Sequence, residues 1–196
     1  MDRSPITRRA FLAAAVLAPV FLYPTKAFAA SRAEPTPACG AGTATPPQTE
    51  GPFFKPRSPE RKSLVEPGVQ GAAIVVEGRV LSTGCRPVAG ALVDFWQADA
   101  SGAYDNSGFK LRGHQFTDGA GRYRLETIVP GLYPGRTRHF HVRVQAPDRP
   151  VLTTQLYFPG EPGNRRDGIF NPRLLLELRD SDQAKTGRFD FLLDLG

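Results

Sequence analysis

Short runs of β-branched and other apolar residues, separated by glycine, proline and aspartate, dominate the chain from residue 72 onward. Runs of this length with turn residues between them are typical of strands, and no segment shows a clear helical repeat of apolar positions. The strands predicted from this pattern lie at 73–81, 91–97, 123–128, 138–145, 152–158 and 189–195. The pattern indicates an all-β sandwich or barrel, and of the two we expect an antiparallel β-sandwich over residues 72–196.

Three turn motifs interrupt these strands: Asp99-x-x-Gly102-x-Tyr104, Asp118-x-x-Gly121-x-Tyr123 and Pro130-Gly131-x-Tyr133. Aspartate and glycine supply the side-chain hydrogen bonds and the positive φ angles that tight hairpin turns require. Taken alone, the pattern resembles small transthyretin-like sandwich modules, many of which catalyse nothing. An exported β-sandwich binding module without catalysis is therefore the alternative to an enzyme.

The segment before the strands has a different character. Residues 31–56 are rich in proline, threonine, glycine and alanine and carry no periodic apolar pattern. Such a composition predicts an extended N-terminal arm that is ordered only where it lies against the body. We assign the arm to residues 30–71. An exposed arm can also pair subunits, so the sequence leaves a homo-oligomer open.

The first 29 residues predict an export signal rather than part of the fold. Arg8 and Arg9 are followed by Phe11-Leu12, an apolar run at 13–22 and the small-x-small exit Ala27-Phe28-Ala29. This order is typical of a cleavable signal, and the paired arginines resemble those of the twin-arginine route. We expect a periplasmic or extracellular protein without membrane attachment after cleavage. A membrane anchor and a general secretory signal are the alternatives.

Two cysteines, Cys39 and Cys85, remain after the predicted signal is removed. Outside the cytoplasm such a pair is expected to form a disulfide. The bond would tether the arm to the early part of the sandwich. The alternative is two unpaired buried thiols.

Composition and charge indicate a globular protein and argue against nucleic-acid binding. The chain is 40% hydrophobic and 22% charged, as globular proteins are, and its formal net charge is +6. Half of that excess, a net of +3, comes from the predicted signal, which carries Arg3, Arg8, Arg9 and Lys26 against Asp2. The other basic residues are scattered and mostly stand near acids, so no basic stripe suited to nucleic acid is present.

The candidate chemistry is concentrated around a His-x-His pair. The chain has three histidines, and on a strand His139 and His141 point to the same face about 7 Å apart. Two neutral imidazoles on one face can bind a single iron, zinc or copper ion. For the remaining ligands, Asp148 lies in a turn without an obvious route inward. Tyr104 and Tyr133 stand at strand-to-turn junctions, and their phenolates would favour ferric iron.

Four motifs in order then carry a family resemblance. They are Gln48-Thr49-Glu50-Gly51-Pro52-Phe53-Phe54, Val93-Asp94-x-Trp96-x-x-Asp99-Ala100-x-Gly102-x-Tyr104, Pro130-Gly131-x-Tyr133-x-x-Arg136-x-x-His139-x-His141 and Thr154-Gln155-Leu156-Tyr157-Phe158. Together they resemble the intradiol ring-cleavage dioxygenases, the family of catechol 1,2-dioxygenase and protocatechuate 3,4-dioxygenase. The resemblance covers most of residues 46–160.

The resemblance implies a mononuclear non-haem Fe(III) site and a small aromatic diol and dioxygen as substrates. The metal ligands that it implies are Tyr104, Tyr133, His139 and His141. It also implies that Arg136 and Gln155 act in the site and that Tyr133 leaves the metal to serve as a base. The product would be a muconate-type diacid. The loop from Tyr133 to His139 is shorter than in protocatechuate dioxygenases, so the choice of catechol stays open.

Other residues receive structural assignments. Those expected in the core are Trp96, Tyr123 and Tyr157. His114 is expected in a loop or at the surface. Arg138 should face away from His139 because neighbouring side chains on a strand alternate. Arg143 shares the histidine face but lies further along, which leaves Arg136 the better catalytic candidate.

Overall fold

A computed structural model describes residues 42–180 and 185–196. This part of the chain forms nine strands and two single-turn 3₁₀ helices, at Pro162–Arg165 and Pro172–Leu174. The strands are β1 (Ala73–Ser82), β2 (Leu92–Trp96), β3 (Arg112–Phe116), β4 (Arg122–Ile128), β5 (His139–Gln145), β6 (Leu152–Tyr157), β7 (Glu177–Asp180), β8 (Lys185–Arg188) and β9 (Phe191–Leu193).

The strands form two sheets. One has the order β3-β2-β5-β6 with antiparallel pairs throughout, and the other has the order β4-β1-β8-β7 with β9 also paired to β1. The predicted β-sandwich is thus confirmed. The second sheet is mixed, because β8 and β9 run parallel to β1, whereas antiparallel pairing was expected. The pattern of apolar residues reveals a strand but not the direction of its neighbour.

Three strands were not predicted. β3 has the sequence RGHQF, β7 has ELRD and β8 has KTGR. None of them carries the alternation of apolar and polar residues that reveals a half-buried strand. Backbone pairing with a neighbouring apolar strand forms them instead, β3 with β2 and β8 with β1.

The core lies between the two sheets and follows from their alternation. Val93 and Phe95 of β2 and Phe140 and Val142 of β5 point inward and are essentially inaccessible to solvent. They belong to the same buried cluster as the inward residues of β1 and β4, which include Val76 and Leu125. Burial of these apolar side chains is the main force that holds the sheets together.

The outer face of the β3-β2-β5-β6 sheet is also covered. Residues 42–64, the described beginning of the predicted arm, cross it and bond to it at several points. The Gln48 backbone amide donates to the Thr153 carbonyl at 2.8 Å, Phe54 packs edge-on against Trp96, and Glu60 bridges to His114. Polar side chains on this outer face are therefore shielded from water.

Two sequence predictions lie wholly or partly outside the described residues. The export signal at 1–29 is one of them. Cys85 is disulfide-bonded, but its predicted partner Cys39 lies outside the described residues. Within residues 42–180 and 185–196, no helix has the length and apolar character needed to cross a membrane.

Candidate active site

The predicted site residues meet on the arm-covered face of the β3-β2-β5-β6 sheet. Strand register sets His141 between Trp96 on β2 and Gln155 on β6, and it sets His139 beside Tyr157. All of these side chains are buried. The alternation of β5 therefore places both imidazoles on one covered face, as the His-x-His spacing predicted.

The two imidazoles converge through their ε nitrogens. His139 Nε2 and His141 Nε2 are 3.1 Å apart. His139 Nδ1 donates to the Thr137 carbonyl oxygen at 2.6 Å, which fixes the tautomer and leaves the lone pair on Nε2. The ring of His141 stacks on Trp96 with 4.9 Å between centroids and 8° between planes. The hydrogen bond to Thr137 thus orients the His139 ring, and the stacking on Trp96 orients the His141 ring.

The surroundings keep both histidines neutral. Burial lowers the pKa of His139 to about 4, helped by the positive charge of Arg136. Burial also lowers the pKa of His141 well below its ordinary value, with His139 and Arg136 acting in the same direction. Neutral imidazole is the form that binds metal ions.

Two glycine turns bring the tyrosines together. The turn at Gly102 and the turn at Gly131 touch so closely that a Cβ on Gly131 would lie 2.4 Å from the Gly102 nitrogen. The Gly131 amide also donates to the Asp99 carbonyl at 2.8 Å. Tyr104 and Tyr133 leave these two turns, and their rings meet edge to face with centroids 5.9 Å apart.

The tyrosine rings are held differently. Tyr104 is stacked on Phe53, with 4.3 Å between centroids and 13° between planes. Tyr133 touches Phe53 only edge-on, at 5.3 Å. The centroid of Tyr104 is 6.1 Å from that of His141, so the tyrosine pair lies beside the histidine pair.

Burial raises the pKa of Tyr104 to about 12, although the nearby positive charges of Arg136 and Arg112 oppose the shift. The protein alone therefore does not make Tyr104 a phenolate at neutral pH. A metal cation at the oxygen would do so, because bound cations lower the pKa of their ligands strongly.

The arm covers the histidine pair through a close approach of Gly51 to His141. Gly51 has a φ of +71°, and a Cβ on it would lie 3.2 Å from His141 Cε1. Glycine suits this position for both reasons. Two residues further along, Phe53 contacts both tyrosines.

A hydrogen-bonded polar network borders the site. Arg136 Nη2 donates to Gln155 Oε1 at 2.6 Å, and Arg136 Nε donates to Asp167 Oδ2 at 2.8 Å. The Tyr157 hydroxyl donates to Gln155 Oε1 at 2.9 Å. Gln155 Nε2 in turn donates to the Thr49 carbonyl of the arm at 3.0 Å. The predicted pair Arg136 and Gln155 is thus in direct contact.

The two converging imidazoles and the two neighbouring phenols have the donor types of a metal site. For zinc, an imidazole nitrogen lies about 2.0–2.1 Å from the metal, so two such ligands at right angles are about 3 Å apart. The Nε2 atoms show that separation. In the described part of the chain, neither the Tyr104 nor the Tyr133 hydroxyl forms a hydrogen bond, so both oxygens are available as ligands.

The side chains available near the histidines favour tyrosine as the source of the anionic ligands. No group of three or more His, Cys, Asp or Glu side chains suited to a metal occurs within residues 42–180 and 185–196. Asp148 lies in an exposed turn with a φ of +55°. The anionic donors would therefore be the two phenolates, which are hard ligands suited to a trivalent ion.

Some structural assignments from the sequence were incomplete. Tyr157 is buried, as expected, but it also joins the network of Arg136 and Gln155. Trp96 is buried and at the same time supports His141. His114 was expected in a loop or at the surface; it is half-buried and lies in β3, where its Nδ1 is 3.1 Å from Ser58 Oγ.

Asp167 and Arg112 also border the site, although the sequence motifs include neither of them. Asp167 comes from a loop 31 residues after its partner Arg136. Arg112 lies on the unpredicted strand β3 and donates to the Asp105 carbonyl at 2.9 Å, next to Tyr104. Asp167 contacts Arg136 and Arg112 also contacts the Phe53 carbonyl, both far away in the sequence, so no local signal marks either residue.

Comparison with known proteins gives a family match over most of the chain. The model of the family described as Dioxygenase matches residues 49–195. Among curated relatives, the protocatechuate 3,4-dioxygenase beta chain of Burkholderia cepacia is 40% identical over 118 residues, which is 51% of this chain and 50% of that protein. The 6-chlorohydroxyquinol 1,2-dioxygenase of Cupriavidus pinatubonensis is 32% identical over 76% of this chain and 64% of its own length. The alignments thus span only 50–64% of these two relatives.

Solved structures of dioxygenases also match this chain. A dioxygenase domain from a dioxygenase carbohydrate-binding protein fusion of Streptomyces sp. SirexAA-E is 57% identical, with a TM-score of 0.76 over 79% of this chain and 100% of that one. Hydroxyquinol 1,2-dioxygenase of Pseudomonas putida is 26% identical, with a TM-score of 0.70 over 79% of this chain and 68% of that one. These matches do not favour the non-catalytic sandwich module. The chain belongs to the intradiol ring-cleavage dioxygenase family.

Proposed function

We propose that this protein is a non-haem ferric dioxygenase that cleaves a catechol-type ring between its two hydroxylated carbons and yields a muconate-type diacid. The observation that carries the proposal is the convergence of two phenols and two imidazoles at one place. The Nε2 atoms of His139 and His141 are 3.1 Å apart, and the Tyr104 ring lies within 6.1 Å of both the Tyr133 and the His141 ring centroids.

Tyr104, Tyr133, His139 and His141 would hold the iron. When bound, ferric iron would supply a Lewis-acid centre that accepts both substrate oxygens and draws electron density from the ring towards reaction with dioxygen. The stacked contact of Tyr104 with Phe53 and the hydrogen bond of His139 to Thr137 keep these two donors fixed.

Tyr133 is the donor suited to move. Its ring makes edge contacts with Phe53 and Tyr104, whereas Tyr104 is stacked. The Tyr133 phenolate would act as a general base and take the proton from one substrate hydroxyl. Tyr104 would remain in place because the arm holds its ring.

Arg136 and Gln155 would stabilise negative charge on the substrate. The guanidinium is fixed by Gln155 on one side and Asp167 on the other. A cation that is already oriented loses little energy to reorganisation when charge develops on the reacting molecule. Both atoms of dioxygen enter the product as the ring bond breaks, so the reaction consumes no external reductant.

Among the relatives, the named activities concern protocatechuate, hydroxyquinols and catechols. We propose the class that they share, an aromatic ring with two adjacent hydroxyls, as the substrate of this chain. The exposed Pro134 and Gly135 stand in the short loop between Tyr133 and Arg136. That loop would leave the entrance open to substituents on the ring.

We also propose that the protein works outside the cytoplasm, because residues 8–29 carry paired arginines, an apolar run and a small-x-small exit. The test compares the full chain with an Arg8→Lys, Arg9→Lys variant in a host that has the twin-arginine route. We expect the wild-type chain in the exported fraction and the variant inside the cell. Equal export of both chains would contradict the proposed route.

An oxygen-uptake screen tests the activity. Iron-loaded protein would be mixed with catechol, protocatechuate and hydroxyquinol, and the products identified by mass and ultraviolet absorbance. We expect uptake with at least one of these diols and a cis,cis-muconate-type diacid as product. Cleavage beside the hydroxyls, or no uptake with any of the three by iron-replete protein, would contradict the proposal.

A further inference from the structure

We propose that Asp167 is a positioning residue for the site, which acts by fixing the Arg136 guanidinium. The inference rests on the proposed function and adds to it a residue outside the four motifs of the family resemblance. Asp167 lies in the loop that follows β6, at the end of the turn that begins with the 3₁₀ helix Pro162–Arg165.

The Asp167 carboxylate is buried, and both of its oxygens accept hydrogen bonds. Its side chain is 2% exposed. Oδ2 accepts from Arg136 Nε at 2.8 Å and from the Thr137 backbone amide at 3.0 Å, and Oδ1 accepts from the Ile169 amide at 3.1 Å. An anion that is shielded from water and bonded by three donors holds a nearby cation far more firmly than a surface ion pair does.

These bonds leave one part of Arg136 available. Nε is committed to Asp167 and Nη2 to Gln155 Oε1, with the Tyr157 hydroxyl at 3.5 Å from Nη2. Nη1 has no partner among the described residues. Asp167 and Gln155 thus hold two edges of the guanidinium and leave the third edge, at Nη1, unpaired within the described chain.

The same carboxylate also fixes the backbone that leads into β5. Its bond to the Thr137 amide holds the residue whose carbonyl accepts the hydrogen bond from His139 Nδ1. Asp167 therefore fixes both the Arg136 guanidinium and the Thr137 backbone that orients His139. Loss of its charge should loosen Arg136 first, because the Thr137 carbonyl keeps its own bond to His139.

The chain offers a matched control. Glu161 also pairs with an arginine, Arg138, through Nε at 2.7 Å. Arg138 immediately precedes β5, and it also bonds to the Pro130 carbonyl. Glu161→Gln therefore removes the same kind of ion pair from the same loop without touching Arg136.

The test compares wild type, Asp167→Asn, Asp167→Glu and Glu161→Gln, each as the full iron-loaded chain. For Asp167→Asn we expect full iron content, a kcat about 10- to 100-fold lower and weaker binding of catechol in an oxygen-free absorbance titration. Asp167→Glu should recover part of the loss, and Glu161→Gln should match wild type. Wild-type kcat in Asp167→Asn, or equal losses in Glu161→Gln, would overturn the inference.

A double-mutant cycle separates positioning from general stability. In an Arg136→Gln background, Asp167→Asn should cost less than two-fold in kcat, because there is no longer a guanidinium to hold. An undiminished loss in that background would show that Asp167 acts elsewhere. A wild-type chain that cleaves no diol would overturn the proposed function as well, whereas an active wild type with an equally active Asp167→Asn would overturn the positioning role alone.

Discussion

At the scale of single residues, the site depends on atoms whose hydrogen bonds leave a lone pair free. His139 Nδ1 bonds to Thr137, so its Nε2 is available, and the hydroxyls of Tyr104 and Tyr133 form no hydrogen bond within the described chain. The spacing His-x-His predicted that two imidazoles share a face. Their support by Thr137 and Trp96 could not be predicted, because it arises from rotamers and cross-strand contacts.

Loss of His139 should abolish metal binding. In His139→Ala we expect most of the iron and the visible colour to be lost, because one of the two converging imidazoles disappears. Metal analysis and the visible spectrum measure the effect. His114→Ala serves as the control, since His114 lies in β3 and bonds to Ser58 away from the site; an equal loss of iron from both variants would contradict the ligand assignment.

Gly51→Ala should disturb His141 from the arm side. A methyl group there would lie 3.2 Å from His141 Cε1, in addition to the strain of a φ of +71°. We expect about 1–3 kcal/mol of lost stability from the backbone and weaker iron binding from the contact.

Gly42→Ala separates these two effects. Gly42 has a similar φ of +75° but nothing within 4 Å of its would-be Cβ. The control should lose stability in thermal or urea melts and keep its iron. If Gly51→Ala also bound iron with wild-type affinity, the arm would not form part of the site.

At the scale of elements, two turns decide where the tyrosines stand. Sequence motifs predicted both turns from their Asp-x-x-Gly and Pro-Gly patterns, and they placed Tyr104 and Tyr133 after them. The contact between Gly102 and Gly131 was not predictable from either motif, since it joins segments about thirty residues apart. For the same reason β3, which brings Arg112 to the loop after Tyr104, escaped prediction.

Gly131→Ala should separate the two turns. Its methyl group would meet the Gly102 nitrogen at 2.4 Å and the Ala100 carbonyl oxygen at 2.5 Å. We expect a stability loss of about 1–3 kcal/mol, as for overpacked sites, together with a weaker visible band because the phenols no longer converge.

Gly119→Ala is the matched control in the hairpin turn before β4, where a Cβ meets nothing within 4 Å. Its melting temperature and spectrum should equal those of the wild-type protein. An unchanged spectrum in Gly131→Ala would mean that the turn contact does not set the tyrosine geometry.

At the scale of the whole molecule, the arm converts an outer sheet face into a second buried layer. Apolar alternation predicted the core between the sheets, but it did not predict that the arm covers the outer residues of β2, β5 and β6. Covering them buries Asp94, His141 and Gln155 together. Titration of acidic residues in such environments should make the stability of the fold depend on pH.

Asp94 should destabilise the fold at neutral pH. Burial raises its pKa, although the hydrogen bond from Ser58 and the charges of His114 and Arg143 oppose the shift. The folded state then favours the protonated form, so ionised Asp94 costs folding free energy above that pKa and the cost vanishes as the pH falls through it. Asp94→Asn should therefore melt at a higher temperature than wild type at about pH 7, and the difference should shrink towards about pH 4.

Asp99→Asn should behave in the opposite way. Burial alone would raise the pKa of Asp99, but hydrogen bonds from Ser101 and Ala103 outweigh it and lower the pKa. Ionised Asp99 thus stabilises the folded state above the pKa of the unfolded chain, and this stability is lost as the pH falls. The variant should melt lower than wild type at about pH 7. The same sign of effect for both variants would contradict the assignment of the two environments.

The proposed function requires Tyr104, Tyr133, His139 and His141 to bind one ferric ion. The most direct measurement is a titration of metal-free protein with ferric ion, followed by visible absorbance. We predict a phenolate-to-iron band that makes the protein wine-red, saturates at one ion per chain and is lost or weakened in Tyr104→Phe and in Tyr133→Phe. A colourless complex, or a band unchanged in both variants, would contradict the account.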